Sequence, residues 1–378
     1  MGRNNQEKRK AKKKIKLAQR KKLPISSQVR PCDGCFTAGT LVRTMDGYRP
    51  IEELTVGELV RTHLGNLKPV TATMKLISHD GVLAIKASGL PEITATHEHP
   101  FLILRQDDVR SCSGTVHGKR VGHRLSSDGK TCPRCNKTIN WETQWIAAES
   151  LGIGDYLLSP IPTTHRSDNG PGYQRARILG YYIGDGHIIK EYVKRQSDPV
   201  LAGFGLAVGD HEESHIEKLI DTLAEADLAN TPKIYDMGGG QKALRIYTYD
   251  QVMASWLANH GGIGSRGKRL SEAVYGWSSE ERHHLLGGYI DTDGSCDKYN
   301  KIRITTVNRG LAIDTQTLCH SLGIPASVSF AGLSNGYTIG IPRWYIVIPS
   351  SYTRSLAAYS VKIRLYEASR CSTKSFFW

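Results

Sequence analysis

The sequence predicts a multidomain chain: an all-β domain followed by a duplicated α+β domain. Three observations carry this. Short apolar runs separated by Asp-Gly turns fill the stretch from Cys35 to about Pro160. Residues 173–365 mix helical and strand patterns. Within them one phrase occurs twice, Ile178-Leu-Gly-Tyr-Tyr-Ile-Gly-Asp185-Gly186 and Leu286-Gly-Gly-Tyr-Ile-Asp-Thr-Asp293-Gly294, with the final acids 108 residues apart.

The 378 residues suffice for two or three domains with real cores. The expected order is a basic segment 1–34, the β domain 35–160 with an insertion at 106–142, a linker 161–172, the α+β domain 173–365, and a closing segment 366–378. Net charge is +14, but residues 1–22 hold eleven Lys/Arg against Glu7 alone. The basicity is therefore largely that of one segment, read as a solvated basic helix or an arm for nucleic-acid phosphate. No run approaches the about 20 apolar residues of a membrane span, and no apolar core follows the basic start. Eight cysteines in a chain this long do not make a disulfide scaffold. A cytoplasmic protein without a membrane partner is expected.

In the β domain, Thr40-Leu-Val-Arg-Thr, Leu59-Val-Arg-Thr, Val82-Leu-Ala-Ile-Lys and Pro100-Phe-Leu-Ile-Leu are the expected strands, and the pattern returns at Trp145. In the second domain, Ser214–Leu228 and Leu311–Leu322 have helical spacing, and Ile302-Arg-Ile-Thr-Thr-Val is a strand. A strand and then a helix follow both repeated phrases.

Each phrase reads as a helix with small residues on one side, Gly180 and Gly184 in the first, Gly287 and Gly288 in the second. Glycine weakens a helix and is tolerable where two backbones must approach closely. Two such helices packed about a pseudo-two-fold axis place Asp185 and Asp293 side by side at negative helix ends. That arrangement requires a cation, and Mg²⁺ suits phosphate chemistry. A nucleotide-binding reading of Gly262-Ile-Gly-Ser-Arg-Gly267-Lys268-Arg269 fails because Arg269 stands where a P-loop needs Ser or Thr. Asp291-Thr-Asp293-Gly294 is not an EF-hand loop, because its glycine comes too early.

The repeated phrase resembles the two-motif, single-chain LAGLIDADG homing endonucleases. Leu318-Cys-His-Ser-Leu-Gly-Ile324 and Gly264-Ser-Arg-Gly-Lys268-Arg-Leu270 are similar to flanking segments of that family. The resemblance implies hydrolysis of both strands of a double-stranded DNA site, with Asp185 and Asp293 as catalytic Mg²⁺ ligands and Lys268 as the basic residue at the attacked phosphate. The family's second lysine has no motif match here, and Lys362 is the candidate. Lys242, Arg245, Arg266, Arg269, Lys301 and Arg303 are the implied DNA contacts. The first motif departs from the family by Tyr181 and Tyr182 on its apolar face.

Cys35-Phe-Thr-Ala-Gly-Thr-Leu-Val and Thr94-Ala-Thr96-His-Glu-His99-Pro-Phe resemble the amino-terminal part of an intein of the Hint fold, as does the closing segment Trp145–Leu158. The resemblance implies an N-to-S acyl shift: Cys35 attacks the carbonyl of Gly34, His99 protonates the leaving amide, and Thr96 holds the oxyanion or the amide. Thr94 with His97 is the second possible register. An intein ends in His-Asn, whereas this sequence ends Lys374-Ser-Phe-Phe-Trp378. The expectation is a split or truncated intein whose carboxy-terminal fragment acts in trans.

Cys112, His117, His123, Cys132 and Cys135 lie within 24 residues, and Cys132-Pro-Arg-Cys135 has the spacing of a zinc knuckle. A structural Zn²⁺ is expected there, because a short polar loop has no core of its own. A ribbon joining Cys32 and Cys35 to Cys132 and Cys135 is the alternative. For the whole chain, a catalytically inactive zinc-containing DNA-binding protein on the same scaffold is the second reading.

Overall fold

The computed structural model describes residues 34–77, 81–105, 115–116, 119–120, 131, 136, 138, 142–158, 170–192, 198–209, 212–236, 243–334 and 340–363. The basic segment 1–33, the expected zinc ligands Cys112, His117, His123, Cys132 and Cys135, the DNA-contact candidate Lys242 and the closing segment 366–378 lie outside them.

The described elements of the amino-terminal domain are strands and short 3₁₀ turns. They are β1 (Leu41–Thr44), β2 (Gly47–Pro50), β3 (Leu59–Arg61), β4 (Leu67–Pro69), β5 (Leu83–Ile85), β6 (Ile93–Ala95), β7 (Pro100–Leu104), β8 (Thr115–Val116), β9 (Lys119–Arg120), β10 (Gln144–Ala147) and β11 (Tyr156–Leu157). Sheet order is β2-β1-β3-β4 in one sheet and β10-β7-β11 in another, with β5-β6 and β8-β9 as separate antiparallel pairs. Asp46-Gly47 makes the tight β1–β2 turn, where Gly47 takes φ 101°. A bridge between Phe36 and Ala95 fastens the start of this domain to β6.

The second domain runs α1 (Tyr173–Asp185), β12 (Gly186–Glu191), β13 (Val200–Gly209), α2 (Glu213–Ala224), β14 (Lys233–Asp236), β15 (Ala243–Thr248), α3 (Gln251–Gly261). It continues α4 (Ser279–Asp293), β16 (Gly294–Cys296), β17 (Ile302–Thr306), α5 (Arg309–Ser321), β18 (Ser327–Leu333), β19 (Pro342–Ile348), α6 (Ser350–Leu356). The two halves share one element order, and their antiparallel sheets share one strand order, β12-β13-β15-β14 and β16-β17-β19-β18. β17 shows the pleat plainly: Ile302, Ile304 and Thr306 are buried while Arg303 is exposed.

One apolar core joins the halves, and α1 and α4 pass through its centre. Tyr181 and Tyr182 are 1% and 0% exposed, so the aromatic departure in the first motif fills the core rather than weakening it. Ser278 opens α4 with a capping box to Glu281, whose Oε1 also accepts the Gly172 N–H (2.9 Å) at the start of α1. One buried carboxylate thus ties both central helices at their N-terminal ends. Among the described residues no helix is long and apolar enough to cross a membrane.

Candidate active site

The central helices meet backbone to backbone. A Cβ placed on Gly180 would lie 2.2 Å from the Leu285 carbonyl oxygen, and one on Gly288 would lie 2.4 Å from that of Arg177. One on Gly184 would lie 2.0 Å from Thr292 Oγ1. Gly180, Gly184 and Gly288 therefore form the expected contact. Gly287 does not. A Cβ there would lie 2.0 Å from the Tyr359 carbonyl oxygen, so this glycine admits the segment after α6 instead.

Both helices end on their aspartate, and both are followed by a glycine that starts a strand, Gly186 and Gly294. Burial raises the Asp293 carboxyl to about 7, and the neighbouring Asp185 carboxylate pushes the same way. Asp185 is open to solvent at its helix end, yet the surrounding protein raises it too, against the pull of Lys268, Lys362 and His215. The Asp185 charge thus reaches Asp293, as one carboxylate repels another.

Each acid has a lysine at its back. Lys268 Nζ donates to the Gly184 carbonyl (3.0 Å), one residue before Asp185. Lys362 Nζ donates to the Thr292 carbonyl (2.8 Å), one residue before Asp293. Lys268 is buried, with its ammonium 5.2 Å from the centre of the Tyr182 ring. Burial lowers it to about 8 despite the attraction of Asp293 and Asp185. Lys362 instead meets Glu212 Oε1 at 3.0 Å.

Sequence reasoning missed the buried pair that holds Lys362 in place. Arg177 Nη2 donates to Asp291 Oδ2 (2.5 Å), and both side chains are closed to solvent. Arg177 also bonds the Tyr181 hydroxyl (2.6 Å) and the Tyr359 carbonyl (2.7 Å). Asp291 Oδ1 accepts from Ser360 Oγ (2.6 Å) and from the Lys362 N–H (3.2 Å). The signal in the sequence was an acid at Asp291 where the first phrase has Ile183, on a face that must be buried.

Of the expected DNA contacts, Arg245, Arg266, Lys301 and Arg303 are exposed. Arg245 and Arg303 lie on the outer faces of the two sheets, in β15 and β17. Arg269 is engaged internally, which removes it from that group. Its guanidinium grips Asp314 through Nε (2.6 Å) and Nη2 (3.0 Å) and reaches the Tyr48 carbonyl (3.2 Å).

A second site surrounds the Gly34–Cys35 peptide. Thr96 Oγ1 accepts the Cys35 N–H (2.9 Å), and the Thr96 N–H donates to the Cys35 carbonyl (2.9 Å). His99 lies against Gly34 so closely that a Cβ there would sit 2.2 Å from the His99 Cα, and Gly34 takes φ 140°. Burial lowers the His99 imidazole while its hydrogen bond to the Gly34 backbone acts to raise it. Of the second register, the Thr94 carbonyl accepts the Thr37 N–H in the β pairing, and the His97 carbonyl accepts the Glu149 N–H.

Family models match two stretches of the chain, one described as a Hint domain at residues 34–87 and one as a LAGLIDADG-like domain at residues 280–351. The chain joins a Hint domain to a LAGLIDADG-like domain. That is the organisation of an intein with an embedded LAGLIDADG endonuclease. The Hint match contains Cys35, and the LAGLIDADG match contains Asp293.

The chain is 26% identical over 314 residues to an iron–sulfur cluster assembly SufBD family protein of Mycobacterium tuberculosis, covering 80% of this chain and 34% of that protein. It is 24% identical over 344 residues to an ATP-dependent DNA helicase of Thermococcus kodakarensis, covering 78% and 28%. It is 24% identical over 243 residues to a DNA-directed RNA polymerase subunit of Methanocaldococcus jannaschii, covering 62% and 26%. The chain thus spans about a third or less of the length of these relatives. Among solved structures it is similar to I-DmoI in complex with DNA and Mn, with 15% identity, a TM-score of 0.36, and coverage of 52% of this chain and 100% of that one. It is also similar to the homing endonuclease I-WcaI bound to its DNA recognition sequence, with 14% identity, a TM-score of 0.33, and coverage of 53% and 85%.

Proposed function

We propose that this chain is an intein-like protein whose LAGLIDADG domain cuts both strands of a double-stranded DNA site and whose Hint domain forms a thioester at Cys35. The observation that carries the first activity is the paired centre: Asp185 and Asp293 at the ends of two helices in backbone contact, each with a lysine on the carbonyl just before it. The two halves of the domain read as a duplication, one half for each strand.

The relatives support an inserted element rather than a host activity. A SufBD family protein, a helicase and a polymerase subunit have unrelated names, and each matches this chain over a minor part of its own length. What they share with this chain is not what their names describe.

Asp185 and Asp293 fit a hard divalent cation such as Mg²⁺. Both are oxygen donors, both are raised, and the Asp185 charge adds to the rise at Asp293, a conflict that a cation relieves. When bound, that ion lowers the pKa of water and offsets charge on the phosphate oxygens. The chain's own residues do the rest. Lys268 and Lys362 place positive charge at the scissile phosphates, fixed before DNA arrives by their carbonyl partners. Arg245, Arg303 and neighbouring side chains on the outer sheet faces meet phosphates and base edges in the major groove.

In the Hint domain, the Cys35 thiolate attacks the Gly34 carbonyl, the Gly34–Cys35 amide bond breaks, and a thioester forms. His99 gives the proton that the departing Cys35 amine requires. Thr96 holds the Cys35 N–H in the ground state and so fixes the amide plane for attack.

The testing experiment selects bound duplexes from a randomised DNA pool in Ca²⁺ and then adds Mg²⁺. Wild-type protein is expected to cut the recovered duplex on both strands. The Asp185→Asn/Asp293→Asn variant is expected to bind it and leave it whole. Binding without cutting by the wild type would instead establish the inactive DNA-binding reading.

A further inference from the structure

Residues 268–272 form a seam between the two domains. Lys268 begins it: Asn308 Nδ2 donates to its carbonyl (2.7 Å) and to that of Arg266 (2.9 Å). Arg269 and the Leu270 N–H (3.0 Å) are held by Asp314. Arg269 also reaches the Tyr48 carbonyl, in β2 of the Hint domain. Glu272 ends the seam under two guanidiniums of that domain. Arg43 from β1 donates through Nε (3.1 Å) and Nη2 (2.6 Å), and Arg61 from β3 through Nη2 (2.5 Å). All three side chains are about nine-tenths buried, with exposures of 9%, 11% and 12%. Gly89 adds two further bonds: its carbonyl accepts from Gln316 Nε2 (2.7 Å) and from the Val328 N–H (2.8 Å).

We propose that the Hint domain positions Lys268 for DNA cleavage. The Arg43–Glu272–Arg61 clamp and the Tyr48 carbonyl fix the backbone from 268 to 272, and with it the direction of the Lys268 side chain. Glu272 is 12% exposed beneath Arg43 and Arg61, and a buried carboxylate strongly favours the state in which both guanidiniums reach it. A lysine that must sit on one carbonyl is sensitive to backbone shifts, because misplacement by about 1 Å costs on the order of 10²-fold in rate. Arg43, Arg61 and Glu272 are positioning residues in this account. The cleavage chemistry thus depends on the splicing domain, a dependence that rests on the nuclease reading above.

The test uses full-length chain with Arg43→Met/Arg61→Met and, separately, Glu272→Gln, on the duplex recovered by selection. The double variant is expected to lose tenfold or more in kcat with DNA affinity unchanged. Glu272→Gln, which keeps an acceptor for both guanidiniums, is expected to lose less. Ile346→Val, a core change away from the seam, controls for stability alone and is expected to keep kcat. Hydrogen exchange over residues 262–270 is expected to speed up in the double variant. A folded double variant with wild-type kcat overturns the proposal. Should it not fold, Glu272→Gln decides, and wild-type kcat there overturns the proposal. Should wild-type protein cut no DNA, the nuclease reading falls, and unchanged exchange over 262–270 in the variants overturns the brace on its own.

Discussion

Lys268 donates its ammonium to the carbonyl of Gly184, and the same relation recurs between Lys362 and Thr292 on the other side of the axis. The local surroundings differ: Lys268 is buried against Tyr182, and Lys362 is partly exposed and paired with Glu212. Both lysines pull on both acids. Replacing either with methionine is expected to lower cutting by about 10²–10³-fold, the usual cost of one preorganised electrostatic group. Separating nicked from linear plasmid on a gel checks this, and nicked product is expected to accumulate in each single variant.

The paired acids make the metal-free protein sensitive to pH. Asp293 titrates at about 7 when folded, well above an unfolded aspartate. A raised carboxyl gives its full stabilisation below the unfolded value and loses it as pH climbs through about 7. Without metal, melting temperature is expected to fall between about pH 4 and 7, and Asp293→Asn is expected to flatten that slope. Ca²⁺ requires the carboxylate form, so its affinity is expected to rise up to tenfold per unit towards pH 7 and then level. Calorimetric titration across pH 5.5–8.5 checks it.

Arg177 and Asp291 form a buried ion pair between the two central helices. Removing one partner leaves a charge without water, so Arg177→Met is expected to cost about 3–5 kcal/mol. Replacing both, Arg177→Met/Asp291→Leu, is expected to recover part of that loss but to leave the 359–362 segment unanchored. Urea unfolding measures the first effect. Slower cutting at restored stability measures the second.

Much of this was legible in the sequence, and what was not shares a physical cause. The acids announce themselves because the repeated phrase is local, and Thr96 and His99 stand in one short run. Lys362 carries no motif; it reaches the centre because Asp291, 71 residues earlier, accepts its backbone N–H. Arg43 meets Glu272 across 229 residues, a separation that no pattern in the chain encodes. Gly287 and Gly288 look equivalent as letters, and only the packing shows Gly288 against α1 and Gly287 against Tyr359. Arg269 reads as a DNA contact until Asp314 is seen beneath it.

The approach of α1 to α4 allows no side chain at Gly180. Gly180→Val is expected to destabilise the fold by more than about 3 kcal/mol, in the range of severe overpacking. Thermal unfolding followed by circular dichroism checks it. Valine at the exposed Gly264 would cost less, although φ 75° there still strains any side chain.

Thioester formation at Cys35 exposes the Gly34 carbonyl to added thiol. Incubation with dithiothreitol is expected to release residues 1–34, visible by mass spectrometry. His99→Ala is expected to slow release by about 10²–10⁴-fold, the span of general acid catalysis. Cys35→Ala is expected to abolish it.

The claim that Asp185 and Asp293 share one cation is tested most directly by letting the cation mark its own surroundings. Fe²⁺ with ascorbate, bound in place of Mg²⁺ in the DNA complex, generates short-lived radicals that cut nearby backbone. The account predicts fragments ending near 185 and near 293 in the same sample, both suppressed by excess Mg²⁺. Fragments at one position alone, or cuts that Mg²⁺ does not suppress, would contradict it.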